Sequence, residues 1–226
     1  MKLEDQIREI GVRMVGCQNK CIGINRKQED GVLPRCLFLE TANRWQGRGT
    51  VVLGINPGRS GEDEQNTYLE KGQTYEQTVA YWDEKLRGKH PYYKRLRELI
   101  DKLELLGSIL WTELVKCENN SELRGLPPLQ TFRTCTSLYL QSELKIIPKD
   151  WPIMAIGLEA YRATAYMFPE RIVIGIPHPT GSFGRQFHRL LDPESLPIIK
   201  EFIAKSLVSE EMQAAWMPEL LGQDES

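Results

Sequence analysis

Four short, mainly apolar runs of strand length, at 50–55, 108–115, 152–157 and 171–177, limit the folds open to this chain more than any other feature. A strand with one wet face alternates apolar and polar residues, whereas a strand covered on both faces reads as a continuous apolar run. Helical spacing fills the gaps, at 3–14, 74–86, 92–105, 128–144, 159–167 and 195–212. Strands alternating with helices predict an α/β fold, a three-layer α/β/α sandwich around a central, mainly parallel, four-stranded sheet. In such sheets ligands sit beyond the carboxyl ends of the strands, so the residues after each run are the ones to read for chemistry.

At 226 residues, 41% apolar and 27% charged, the chain suits one substantial domain, expected over 1–216, with 217–226 as a disordered tail. No run approaches the roughly 18 apolar residues of a membrane span. The opening MKLEDQIREIGVRM is charged throughout and lacks a signal-peptide core, so a cytoplasmic, monomeric protein without membrane contact is expected. A net charge of -2 excludes a uniformly basic coat while leaving room for a local basic face. In a reducing compartment the five cysteines are expected as metal ligands or small buried residues rather than disulfides.

Three segments carry candidate chemistry. The first run ends in Gly54-Ile55-Asn56-Pro57-Gly58, where glycines permit close approach and the proline stiffens a turn that aims the Asn56 amide. No Lys-Ser or Lys-Thr follows, so it is not a phosphate-binding loop of that type. Next, Cys17 and Cys21 form one pair of thiols and Cys117 and Cys135 another, a set suited to a four-thiolate zinc or iron-sulfur centre, with Cys36 as an alternative to Cys21. The fourth run ends in PHPTGSFGR, in which Pro177 and Pro179 clamp His178, a group able to hydrogen-bond a developing anion. Gly181, Ser182, Phe183 and Gly184 then read as an exposed loop bearing an apolar wedge, a device that fills a gap in a DNA stack.

Taken in order, GINPG, LVKCENN with Cys135, and HPTGSFGR resemble the motifs of the uracil-DNA glycosylase superfamily, particularly its branch with a 4Fe-4S cluster. The resemblance spans about 17–185, and the first cysteine pair departs from it by one extra intervening residue. It implies a glycosylase-like fold and a 4Fe-4S cluster on Cys17, Cys21, Cys117 and Cys135, with zinc as the second choice. It also implies duplex DNA as partner, with one nucleotide flipped out. By the same resemblance, Asn56 holds the hydrolytic water, Gly54, Ile55 and Pro57 line the base pocket, and Tyr68 stacks on the extruded base. His178 contacts the base O2, and Gly181 to Phe183 enter the minor groove.

One position breaks the pattern. Where uracil-excising relatives carry a base-reading asparagine, this chain has Glu113. An ionised carboxylate can accept from uracil N3–H, but its second oxygen would face the O4 lone pairs. Cytosine presents an N4 donor beside an N3 acceptor, which a protonated carboxyl satisfies with one oxygen accepting and the other donating. Glu113 is therefore expected to read a cytosine-type base and to protonate N3 as the bond lengthens. A base that must be told from ordinary cytosine carries a mark; some members of the superfamily that this chain resembles act in phage defence by excising glucosylated hydroxymethylcytosine, and the resemblance makes that base the expected target. The structural alternative pairs Glu113 with Lys116, Arg124 or Arg133. Phosphate contacts are expected from Arg59, Lys71, Arg124 and Arg185, ahead of the basic run 84–97, which also fits a solvated helix face. Uracil excision in base-excision repair, noncatalytic binding of modified DNA, and a nucleotide-binding protein with a zinc ribbon are the competing readings; the absence of a Gly-x-Gly-x-x-Gly turn counts against the last.

Overall fold

A computed structural model describes residues 1–41, 47–120, 126–209 and 213–222. In chain order the helices are α1 (Leu3–Val15), α2 (Glu62–Lys71), α3 (Tyr75–Tyr81), α4 (Pro91–Lys102), α5 (Leu129–Cys135), α6 (Gln141–Ile146), α7 (Leu158–Met167), α8 (Gly184–Arg189), α9 (Ser195–Ser206) and α10 (Met217–Leu220). The strands are β1 (Ile24–Asn25), β2 (Phe38–Glu40), β3 (Thr50–Gly54), β4 (Ile109–Glu113), β5 (Glu118–Asn119), β6 (Ile153–Ile156), β7 (Val173–Ile176) and β8 (Ala214–Trp216). Six of them form a mostly parallel central sheet in the order β2-β4-β3-β6-β7-β8, with helices around it, and β1 pairs antiparallel with β5 in a separate ribbon.

The sheet thus has six strands where the apolar runs predict four. All four predicted strands are present, and every residue of β3, β6 and β7 is buried, as two-sided coverage requires. The two additions, β2 and β8, are three residues each, too short for a pattern to register. The expected disordered tail is also corrected: α10 buries Met217 and Pro218, so the chain is tied down past Trp216. Residues 210–212, where the last predicted helix was expected to end, and 223–226 lie outside the described residues.

The chain divides into two compact units. The first comprises Met1–Leu39, Gly54–Arg87 and Trp111–Pro148. Its core includes Ile7, Ile10 and Met14 on one face of α1, and Trp82 stacked on Phe38 with centroids 4.8 Å apart. Each such aliphatic side chain contributes roughly 1.5–3 kcal/mol by leaving water. Gly11 on α1 sits so close to Tyr75 of α3 that an added Cβ would lie 2.3 Å from the ring. The second unit comprises Glu40–Leu53, Gly88–Leu110 and Lys149–Ser226. There β3, β6, β7 and β8 run parallel, in the registers Val51 to Ile153 to Val173 to Ala214. Helix α4 shows why such a segment folds locally: His90 caps its first turn, Pro91 pre-sets the backbone, and Tyr93, Leu96, Leu99 and Ile100 recur on one buried face.

Candidate functional site

In the first unit, the chain after β3 is knitted to the chain after β4. Leu114 N–H donates to Gly54 O at 2.9 Å and Val115 N–H to Ile55 O at 2.8 Å. These bonds set Glu113 beside Gly54. A Cβ on Gly54 would stand 2.2 Å from Glu113 Oε2, so the glycine is required by the carboxyl it admits. At Gly58, by contrast, a Cβ would meet no described atom within 4 Å. Asn56 is half-buried, and its amide donates to Pro57 O at 3.2 Å.

Glu113 Oε2 is sealed from solvent and has no hydrogen-bond partner among the described residues. Burial pushes the carboxyl up to about 8, against the opposing pull of Lys116 and Arg35. It is therefore mostly protonated at neutral pH, with one oxygen to accept and one O–H to donate. The alternative pairing with Lys116 is not what the structure contains. Lys116 Nζ sits 2.9 Å from Glu143 Oε1, in a fully buried ion pair, and reaches Glu113 only through its backbone oxygen, at 2.7 Å. Arg124 lies outside the described residues.

Tyr68 is corrected from base-stacking residue to core residue. It lies on α2 at 1% exposure, its hydroxyl donating to Glu64 Oε1 at 3.0 Å and its ring edge-on to Tyr81. A ring so enclosed has no face to offer a base. Glu64 is itself paired with Arg35 at 3.0 Å, and Arg35 is also paired with Glu118 at 2.8 Å. This buried Arg35 network escaped the sequence reading, although one signal was present: a lone arginine inside the apolar stretch VLPRCLF. A charge in such a run is costly to bury unless partnered.

Four of the five thiols come together. Cys17, Cys21, Cys117 and Cys135 line one pocket of about 340 Å³, part of it open to solvent, with Arg26, Lys116, Thr131 and Tyr139 among its walls. The thiols are close enough to influence one another: burial raises Cys117, and Cys135, Cys17 and Cys21 add to that rise. Burial likewise raises Cys135 to about 11. At Cys17 burial opposes ionisation, but hydrogen bonds from Tyr139 and Asn19 and the Arg26 charge outweigh it, so that thiol is lowered. Lys116 N–H donates to Cys135 Sγ at 3.2 Å, and Asn19 Nδ2 to Cys17 Sγ at 3.5 Å. Tyr139 reaches Cys17 from a π-helical turn, Thr136–Leu140, that directly follows Cys135. Among the described residues, no three His, Cys, Asp or Glu side chains are gathered tightly enough to hold a metal ion as they stand. Cys36 is not part of the pocket lining. It adopts φ 67°, and its thiol is raised by burial and by nearby Glu113.

In the second unit, His178 is exposed rather than a core histidine. Thr180 N–H and Oγ1 lie 3.3 and 3.1 Å from its Nδ1, and Tyr92 packs its ring at 5.5 Å. Thr180 O also lies 3.1 Å from Nδ1, so the same nitrogen faces both a backbone donor and a backbone acceptor. Arg95 of α4 donates to Pro179 O and steadies the same loop. Gly181–Phe183 form a short 3-10 turn that begins at φ 72° on Gly181 and leaves Phe183 54% exposed; Ser182 and Arg185 are exposed beside it. Arg59, in the first unit, is exposed as well. Within the basic run, Lys85 pairs with Asp63 and Arg87 with Asp83, both in the first unit, as a solvated helix face would. No helix of the described residues is long and apolar enough to cross a membrane.

No family model matches the sequence, and no curated protein matches it.

Proposed function

We propose that this protein is a DNA glycosylase that hydrolyses the N-glycosidic bond of a flipped, modified cytosine, with glucosylated hydroxymethylcytosine as the favoured substrate, and leaves an abasic site. The observation that carries the reading is Glu113: a carboxyl raised to about 8, with an unpartnered buried oxygen, set against Gly54, which opens the Asn56 turn. The mixed α/β architecture is compatible with the three-layer glycosylase-like sandwich that the motifs imply.

In this reading the protonated Glu113 accepts from cytosine N4 and donates to N3, and its proton follows the electrons onto the base as the bond to C1′ breaks. Asn56 orients the attacking water. An amide is no base, so the water meets an electrophilic, oxocarbenium-like sugar and catalysis is mainly positional and electrostatic. The motif resemblance gives His178 the contact to the base O2, where negative charge builds as the bond breaks. Phe183 fills the gap in the stack, and Arg59 and Arg185 bind phosphates. A protonated carboxyl can also donate to uracil O4 and accept from N3–H, so the preference for cytosine rests on proton transfer: cytosine N3 has a lone pair to take the Glu113 proton, and uracil N3 already carries its own.

Cys17, Cys21, Cys117 and Cys135 would hold a 4Fe-4S cluster. The residues fit the group in kind: four thiols share one pocket, N–H donors point at two of the sulfurs, and the Arg26 cation balances thiolate charge. The cluster would act as a structural tie between the N-terminal segment and the chain after β4.

The test uses purified protein and duplexes carrying glucosylated hydroxymethylcytosine, hydroxymethylcytosine, cytosine or uracil, followed by alkali to break abasic sites. Strand breaks at the glucosylated base, abolished by Asn56→Ala and with coupled losses for Glu113→Gln and His178→Ala, are expected. Breaks at uracil alone, or tight binding of the modified duplex without base release, would overturn the reading.

A further inference from the structure

We propose that Glu118 is a positioning residue for the Asn56 turn, holding that turn against the segment that carries Cys117. Its Oε2 accepts from Ser60 N–H at 2.7 Å and from Arg35 Nη2 at 2.8 Å, and its Oε1 accepts from Asn25 Nδ2 at 2.8 Å. Arg35 Nη2 also donates to Gly58 O. The stretch just after Asn56 is thus gripped twice, by its carbonyl at Gly58 and by its amide at Ser60. Both gripping side chains are buried, Arg35 at 5% and Glu118 at 3% exposure, and so are little screened by water.

The base of the clamp is itself fixed. Asn25 and Glu118 are register partners in the β1–β5 ribbon, and Lys116 O accepts from Arg35 N–H at 2.8 Å. Lys116 N–H in turn bonds Cys135 Sγ. Three consecutive residues therefore serve three ends: Lys116 reaches Glu113 and a thiol, Cys117 lines the thiol pocket, and Glu118 holds the turn. A turn with exposed Gly58 and Arg59 would otherwise sample many conformations, and freezing it in the folded protein removes that ordering cost from the reaction.

The kinetic arm of this inference rests on the glycosylase reading; the structural arm does not. Glu118→Gln replaces one acceptor oxygen by an amide facing Arg35, and Ser60→Pro deletes the gripped N–H without touching the cysteine segment. For each folded variant, hydrogen exchange in peptides spanning 54–61 is expected to speed up about tenfold or more while α1 is unchanged. Single-turnover base release should fall about 10–100-fold, the cost of an ångström-scale misplacement, with DNA affinity within about twofold of wild type. Unchanged exchange in the turn overturns the inference whatever the activity. If wild type releases no base from any duplex, the glycosylase reading fails, while faster exchange in the variants still upholds the clamp.

Discussion

Glu113 and Glu118 lie five residues apart on the same stretch of chain, both drawn from water, and the fold makes opposite things of them. Glu113 closes β4 with an oxygen facing no donor, and burial lifts it to about 8. At Glu118 burial acts in the same direction, but Arg35, the Ser60 amide and Asn25 outweigh it and hold the carboxylate below its ordinary range. Glu118 is supplied with donors that Glu113 Oε2 lacks: one glutamate is kept as an acid and the other as an anion.

The largest expected effect breaks the acid half of the pair. Glu113→Gln should lower single-turnover release of the modified base by about 10²–10⁴-fold, the range for loss of a general acid, with binding of the duplex retained. An equal rate in the variant would mean that the carboxyl does no proton transfer. Next, Arg35→Met strands Glu64 and Glu118 without their cation, and chemical denaturation should show a loss of about 3–5 kcal/mol. A loss below about 1 kcal/mol would show that the Glu118 anion does not depend on Arg35.

The third prediction uses pH. Glu113 is raised in the folded chain, from 4.5 to about 8, so the fold favours its protonated form. Its stabilising contribution is whole below the unfolded value, declines as pH rises between the two, and is gone above about 8; the total is of the order of a few kcal/mol. Stability of wild type measured across pH 4 to 9 should show this decline, and the same scan on Glu113→Gln should lack it. Base release should fall with rising pH through the same upper limit. Smallest is Gly54→Ala, whose methyl meets Glu113 Oε2; overpacking of about 1–3 kcal/mol is expected, with the carboxyl displaced toward solvent and the alkaline limb moved to lower pH.

The elements legible in the sequence were those whose burial leaves a period. β3, β4, β6 and β7 are apolar runs, and α1 and α4 are clean stripes. Helix α2, EDEQNTYLEK, was missed because it buries only Glu64 and Tyr68, a polar pair that no hydrophobic pattern marks. That omission explains the Tyr68 error: counting residues from Gly58 gives a place in the chain, not a side of a helix. The four cysteines stand out in the sequence by residue type and spacing, and the structure puts all four in the lining of one pocket that does not include Cys36. The Arg35 and Lys116 ion pairs were not, since their partners lie 27 to 83 residues away and partner choice is decided by folding alone.

The π-helical turn Thr136–Leu140 carries one consequence for how this chain tolerates insertions and deletions. A π-turn holds an extra residue relative to an α-helix, and losing that residue would rewind the segment and rotate everything beyond it by about 100°. Glu143 would swing off Lys116, leaving an ammonium alone in the interior. Loss of a residue from this turn is therefore expected to break a buried ion pair, even though the turn holds no cysteine of its own.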